Sequence, residues 1–388
     1  MVETRHAVMA VLVAVLAGGC TFYTSCPTGQ GNSNPTGGSD AGGGAASGGS
    51  SPILSDPPPA GEWKNVTPDL SKTMETCGPL FALSSKPSED LIIAGVTNNG
   101  LWATSDGGST WVVLGKGKNS DAVVQGTNAI IYDPTDPNVF WVAGIRGPGA
   151  FRTDDDGLNF KHLGDSFSAD YISVDFSDSK RKTLLLSGHE MQVLRRSTDG
   201  GDTWTDISAA IPAGVKVCSY PFILDSKNFL LGCGGGSDMG RSAILRSSDA
   251  GKSWVTVYDN SGTTAPLLAS NGDIYWAQEL AGGLARSDDQ GQTFSKVVPA
   301  GTLLTVSPVE LPDGRIASVT GQNIVVSADQ GKTWKRASGK LPYTPNGFTY
   351  SPYQRAFFIW YFTCSSTGKP MPGPTDGIMR FDFDYEMQ

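Results

Sequence analysis

Basic charge is scarce in this chain of 388 residues: 29 lysines and arginines face 38 aspartates and glutamates, for a formal net charge of −9. A surface of that sign repels phosphate backbones and anionic headgroups, which excludes nucleic acid as a partner and excludes a membrane held through a basic face. No convincing amphipathic helix is present, so strands must build the core. Long apolar runs are missing as well. The stretch Ala7–Leu16 is too short to span a bilayer as a helix, which needs about 20 residues. Among Cys77, Cys218, Cys233 and Cys364 no two are close enough in sequence to resemble a zinc knuckle, so no metal is expected, and no cofactor either.

What is present begins with an address. Arg5 and His6 precede the apolar run, and Ala17-Gly18-Gly19-Cys20 follows it. Residues 1–20 therefore read as an export signal of the lipoprotein type, with Cys20 as the lipidated residue and a bacterial envelope or cell surface as the destination. Residues 21–61 are rich in Gly, Ser, Pro and Asn and hold almost no apolar side chains, so they read as a disordered tether. The 35 residues from Pro27 to Gly61 would span roughly 30 Å as a flexible coil. Residues 62–388 remain for one folded domain, expected to be a monomer that touches a membrane only through the lipid.

Within that domain one eight-residue unit recurs. It first appears as Thr104-Ser-Asp106-Gly-Gly108-Ser-Thr110-Trp111 and returns at Thr153, Ser197, Ser247, Ser287 and Ser327, at separations of 49, 44, 50, 40 and 40 residues. A period of that size signals blades or an array. Short apolar runs flank each copy, the layout of a β-hairpin. The Asp side chain can hold the turn's own amides, Gly supplies a conformation other residues resist, and the closing Trp or Phe has a large face to bury. Asp106, Asp155, Asp199, Asp249, Asp289 and Asp329 are thus structural: six equivalent carboxylates in six hairpins are not one active site.

The unit resembles the Asp-box, or BNR, repeat of the sialidase-like superfamily, which includes sialidases, xyloglucanases, sortilin-type receptors and a photosystem assembly factor. The resemblance covers about residues 62–388. It implies a β-propeller whose ligands bind on the face opposite the boxes, but not one reaction, because function lives in the site. Sialidase activity is not expected. Arg152, Arg196, Arg246, Arg286 and Arg380 share one repeat position, so they do not form a carboxylate-binding cluster; only Arg146, Arg195 and Arg241 are spare.

Two further apolar runs precede each unit, which makes four antiparallel strands per repeat. A seventh repeat at the C-terminus has no box and ends after its third strand, while Trp63-Lys-Asn-Val66 reads like the strand that follows every box. The expected fold is all-β: a seven-bladed β-propeller of four-stranded antiparallel blades, closed by an N-terminal outer strand in the last blade. Cys218 and Cys233 fall on the first two strands of one blade and suit a disulfide; Cys77–Cys364 would join the first blade to the last.

The face opposite the boxes consists of the loops after each second strand and the links between blades, where ligands of closed β-architectures gather. His189 and Glu190 stand there together, and Glu279 and Asp238 could converge on them as candidate catalytic residues. Arg146, Asp170, Gln278 and Asn323 are candidate ligand contacts. Ordinary solvated loop residues would give the same pattern. The function read from this is binding of a glycan or protein partner through that face. The alternative is a secreted carbohydrate-active enzyme, a glycoside hydrolase or polysaccharide lyase, acting at the central mouth with paired carboxylates.

Overall fold

The eight-residue units fold as tight turns fastened by their own side chains. In the first, Thr104 Oγ1 donates to Asp106 Oδ1 at 2.8 Å and accepts the Gly108 amide at 2.9 Å. The Asp106 carboxylate also receives the Thr110 amide at 2.9 Å and the Thr110 hydroxyl at 2.7 Å. The same pattern holds Asp155, Asp199, Asp249, Asp289 and Asp329. A carboxylate that accepts several such bonds is held in its charged form. The Ser253 hydroxyl and amide, with the Ser247 hydroxyl, draw the Asp249 pKa down to about 2.

The computed structural model describes residues 53, 56–68, 70, 80–115, 117–123, 126–189, 191–215, 217–234, 240–260, 262, 264–278, 283–298, 303, 306–361 and 377–387. Their strands form seven sheets of four, an all-β seven-bladed propeller. The inner strands of blades one to seven are Leu80–Ser85, Gly126–Tyr132, Ala169–Val174, Cys218–Ile223, Leu267–Leu268, Val309–Glu310 and Gly347–Ser351. Second strands such as Ile92–Val96 and Leu184–Gly188 are buried along their whole length. That explains their near-continuous apolar sequence, since neighbouring blades cover both faces of the sheet. The core lies between blades: Ile93 and Leu101 of blade one pack with Phe140, Phe151 and Phe160 of blade two.

Each turn also locks onto the preceding blade. Val66, at the end of one outer strand, sits against Gly108 of the next turn, and its carbonyl accepts the Trp111 indole N–H at 2.8 Å. A methyl group at Gly108 would lie 2.6 Å from Val66 Cβ, at a φ of +89° that a side chain resists. Leu114 meets Gly157, Leu163 meets Gly201, Ile207 meets Gly251 and Val297 meets Gly331 in the same way. The glycine of the unit is therefore a packing requirement between blades as well as a turn requirement.

Blade seven has the order Lys64–Asn65, Gly377–Asp382, Ala356–Tyr361, Gly347–Ser351 from outside to inside. Lys64 stands opposite Arg380 and Asn65 opposite Met379. Trp63 occupies the place of a turn aromatic: its ring is 5.2 Å from Phe381, and its N–H donates to the Gly339 carbonyl at 3.4 Å. Part of the segment read as tether lies on blade six. Ile53 bridges Trp334 in parallel, and Arg336 Nη1 donates to the Asp56 carbonyl at 2.8 Å.

Buried charges tie neighbouring blades on the face that carries the turns. Lys86, fully buried, donates to Asp156 Oδ1 at 2.7 Å, to Asn138 Oδ1 at 2.9 Å and to Glu89. Burial alone would lower its pKa, but the hydrogen bonds to the Asp156 and Glu89 carboxylates outweigh that and raise it. Arg181 holds Asp133 with two bonds, 2.7 and 2.9 Å, and keeps its carboxyl well below the usual range. Cys218 and Cys233, directly opposed on the first two strands of blade four, form a disulfide. The signal over residues 1–20, Cys20 and the Cys77–Cys364 pairing lie outside the described residues.

Candidate functional site

Successive strands of a blade run in opposite directions, so the turn after the first strand shares a face with the Asp turn. The loop after the second strand and the link to the next blade share the other. On that second face the inner strand of blade three departs from regular pairing. Ala169 faces Gly188 and Tyr171 faces Ser187, which leaves Asp170 as an extra residue. Blades one, two and four slip at the same point, at Phe81, Asn128 and Ser219. In blade five the Gly262–Gln278 bridge is also out of register with the Leu267–Tyr275 pair, while the inner strand of blade seven runs from Gly347 to Ser351 without a slip. A β-bulge re-aims one side chain and interrupts pairing, and such bulges gather at working edges of sheets.

Two of the bulged side chains, those of blades three and four, meet across the blades. Asp170 Oδ1 lies 2.7 Å from His189 Nδ1, and Asp170 Oδ2 accepts the Ser219 hydroxyl at 2.6 Å. Both Asp170 and His189 are mostly buried, at 13% and 17% side-chain exposure. Low solvent exposure strengthens the contact and fixes the imidazole ring. Ser187, fully buried on the second strand of blade three, braces the group: its hydroxyl accepts the Tyr171 amide at 3.1 Å and donates to the Ser219 carbonyl at 2.7 Å. Tyr171 and Tyr220, each next in sequence after a bulge, pair with ring centroids 5.6 Å apart. Asn128 is half-buried, and its side-chain amide makes no hydrogen bond among the described residues.

Of the residues singled out from sequence, Asp170 and His189 are brought together. Arg146 is exposed with a φ of +60°, and its amide donates to Ser168 Oγ at 3.0 Å. Gln278 and Asn323 are buried, at 2% and 8% exposure. Gln278, which follows the second strand of blade five, donates at 2.5 Å to the hydroxyl of Tyr258 on the outer strand of blade four, and Asn323 donates to the Ser338 carbonyl of its own blade at 2.9 Å. Glu190, Asp238 and Glu279 lie outside the described residues. Arg195 is engaged by Asp165 at 3.3 Å and by the Phe167 ring at 4.4 Å, and Arg241 by Asp259 at 3.4 Å. Among the repeat-position arginines, Arg152 stacks on Trp141 and Arg380 on Phe358, which is a packing role.

Asn128, Ser187 and Ser219 were missed from sequence. The signal available was a polar residue set into the apolar run of an inner strand, as in Thr127-Asn-Ala129 and Cys218-Ser-Tyr220. A cavity of about 270 Å³ lies elsewhere, beside the turn of blade two near Lys118, Asp155 and Lys161. Two of its cations are paired with neighbours, Arg152 with Asp154 and Lys161 with Asp202, each at 2.6 Å. Among the described residues no three His, Cys, Asp or Glu side chains are placed to hold a metal ion.

No protein-family profile matches the chain, and no curated protein does. Solved structures do match. A GH74 enzyme from Niastella koreensis superposes with a TM-score of 0.55 at 15% identity, over 81% of this chain and 55% of that one. YCF48 bound to D1 peptide gives 0.53 at 16%, over 86% of this chain and 99% of that one. The extracellular domain of a putative one component system from B. thetaiotaomicron gives 0.52 at 10%, over 77% and 41%. What they share with this chain is the propeller. The chain spans about half the length of the GH74 enzyme and nearly all of YCF48. At such identities the likeness carries the ring of blades and leaves the side chains at its mouth to be read on their own.

Proposed function

We propose that the chain is an exported, lipid-anchored, monomeric propeller of the Asp-box kind that binds a glycan or protein ligand at the mouth opposite the Asp turns. The observation that carries this reading is the arc of bulges. Four consecutive blades turn one inner-strand residue out of register at one end of the ring, and three of those residues are polar. Asp170 has both oxygens bonded by protein groups, so it orients His189 and Ser219 and is poorly placed as a nucleophile. Fixed polar side chains converging on a mouth suit recognition. The fold is shared with YCF48, which is bound to a peptide in the matching structure, and with the extracellular domain of a putative one component system; both support a binding role.

The test is retention of a polysaccharide panel and a peptide library by the full chain. A ligand is expected that is held without product release, with affinity falling about tenfold on Asn128→Ala, the loss of roughly one hydrogen bond. Retention unchanged by Asn128→Ala and by His189→Ala would overturn the reading. The second reading, a glycoside hydrolase or lyase, is favoured by the Asp170–His189 contact, because a carboxylate that orients an imidazole is how a general base is held. Its partners would be Glu190, Glu279 or Asp238. Product release abolished by Glu190→Gln would establish it.

A further inference from the structure

The disulfide of blade four stands immediately before a bulged residue of the mouth. Cys218 is bonded to Cys233 and precedes Ser219, whose hydroxyl donates to Asp170 Oδ2 at 2.6 Å. Residue Val217, on the other side of Cys218, has a φ of +35°, which a β-branched side chain strongly resists. Its carbonyl accepts the Gly234 amide at 3.0 Å, so the backbone on both sides of the disulfide is paired. Strained backbone of this kind persists only where its surroundings fix it, and it collects at functional sites. Cys218 is 2% exposed and Cys233 fully buried, so the link is shielded from solvent while the residue after it faces the mouth.

We infer that the Cys218–Cys233 disulfide is a positioning device for the mouth: it holds the blade-four bulge so that Ser219 fixes Asp170, and Asp170 fixes His189. This rests on the mouth being the binding face. The linkage is a short chain of contacts across two blades. Cys233 holds Cys218, the next residue gives its hydroxyl to Asp170 Oδ2, and Asp170 Oδ1 meets His189 Nδ1 at 2.7 Å. Ser187 spans the same two blades from behind through the Ser219 carbonyl and the Tyr171 amide. Without the disulfide, the strained turn at Val217 relaxes, Ser219 moves off Asp170, and the carboxylate that meets the imidazole loses the hydroxyl that orients it. Ser219 and the two cysteines act through other residues and are positioning residues.

The readout is the His189 ring itself. The chain has three histidines, His6, His162 and His189, so imidazole proton resonances of the full-length protein are assigned with two single variants. The oxidised protein should show a slowly exchanging, downfield Nδ1 proton for His189 that Asp170→Asn abolishes. Cys218→Ala/Cys233→Ala should speed its exchange about tenfold, the loss of roughly one hydrogen bond in the network, with the His162 signals and far-ultraviolet dichroism unchanged. Ser219→Ala should do the same with the disulfide intact, and Ser219→Thr, which keeps the hydroxyl, should restore protection. If the cysteine variant fails to fold, reduction of the folded protein with a phosphine carries the same expectation. Unchanged exchange after loss of the disulfide, or after Ser219→Ala, overturns the inference. The signal is read without ligand, so it stands or falls separately from the binding reading, which the ligand panel tests.

Discussion

Replacing Trp63 by alanine should loosen the ring where blade seven takes its outer strand. The indole contributes three things. Its ring contact with Phe381, centroids 5.2 Å apart, is worth about 0.5–1.5 kcal/mol beyond burial. Its hydrogen bond to the Gly339 carbonyl is long, 3.4 Å, and sits at the low end of about 0.5–1.5 kcal/mol. Burial of a full aromatic side chain is worth about 3–5 kcal/mol in truncation, and Trp63 is half-buried against Phe381 and its neighbours. The overlapping contributions come to about 2–4 kcal/mol. For a domain of this size, that lowers the melting temperature by roughly 3–6 °C. Scanning calorimetry of Trp63→Ala beside Val112→Ala is the assay. Val112 is on the outer strand of blade one and 63% exposed, so its change should stay within about 0.5 kcal/mol. Equal melting temperatures for the two variants would refute the closing role of Trp63.

Three other outcomes are expected. Arg181→Met should destabilise by about 3–5 kcal/mol, because it leaves Asp133, with a side chain 7% exposed, buried and unpaired; adding Asp133→Leu should recover most of the loss in urea titrations. The turn carboxylates have folded pKa values below their unfolded values, Asp249 at about 2, so their stabilisation is complete above the unfolded value near 4. It is then lost as pH falls through the folded values. Melting temperature should therefore be level above pH ~5 and fall between pH ~4 and ~2, and Asp249→Asn should flatten part of that fall. Gly108→Ala should cost clearly more than Gly272→Ala: both have a φ near +90°, but a methyl group meets Val66 at 2.6 Å in one and nothing within 4 Å in the other. Similar melting temperatures for the two would remove the interlocking role of the turn glycine.

The blades were legible because each carries the same turn chemistry at a near-constant period, with apolar runs of strand length on both sides. Trp63-Lys-Asn-Val66 was recognisable for the same reason, as a copy of the strand that follows every turn. The mouth was harder to read. Asp170 and His189 stood out as charged or titratable residues on loops. Ser219, Ser187 and Asn128 did not, because a bulge adds one residue to an inner strand without disturbing its apolar character. Gln278 and Asn323 looked like loop contacts, yet loop residues near a sheet edge often turn inward to satisfy a hydroxyl of the neighbouring blade or a carbonyl of their own. No sequence pattern separates those two fates, since the difference lies in a side-chain rotation after the strand ends.

The most direct measurement of the central claim is the affinity of a ligand retained from the polysaccharide and peptide panels, compared between the full chain, Asn128→Ala, His189→Ala and Asp154→Asn. Asp154 stands on the opposite face, beside the blade-two turn. The account predicts an affinity loss of about tenfold or more for the two mouth variants and none for Asp154→Asn. A ligand that binds the mouth variants as well as the unaltered chain, or that is lost only with Asp154→Asn, would contradict it.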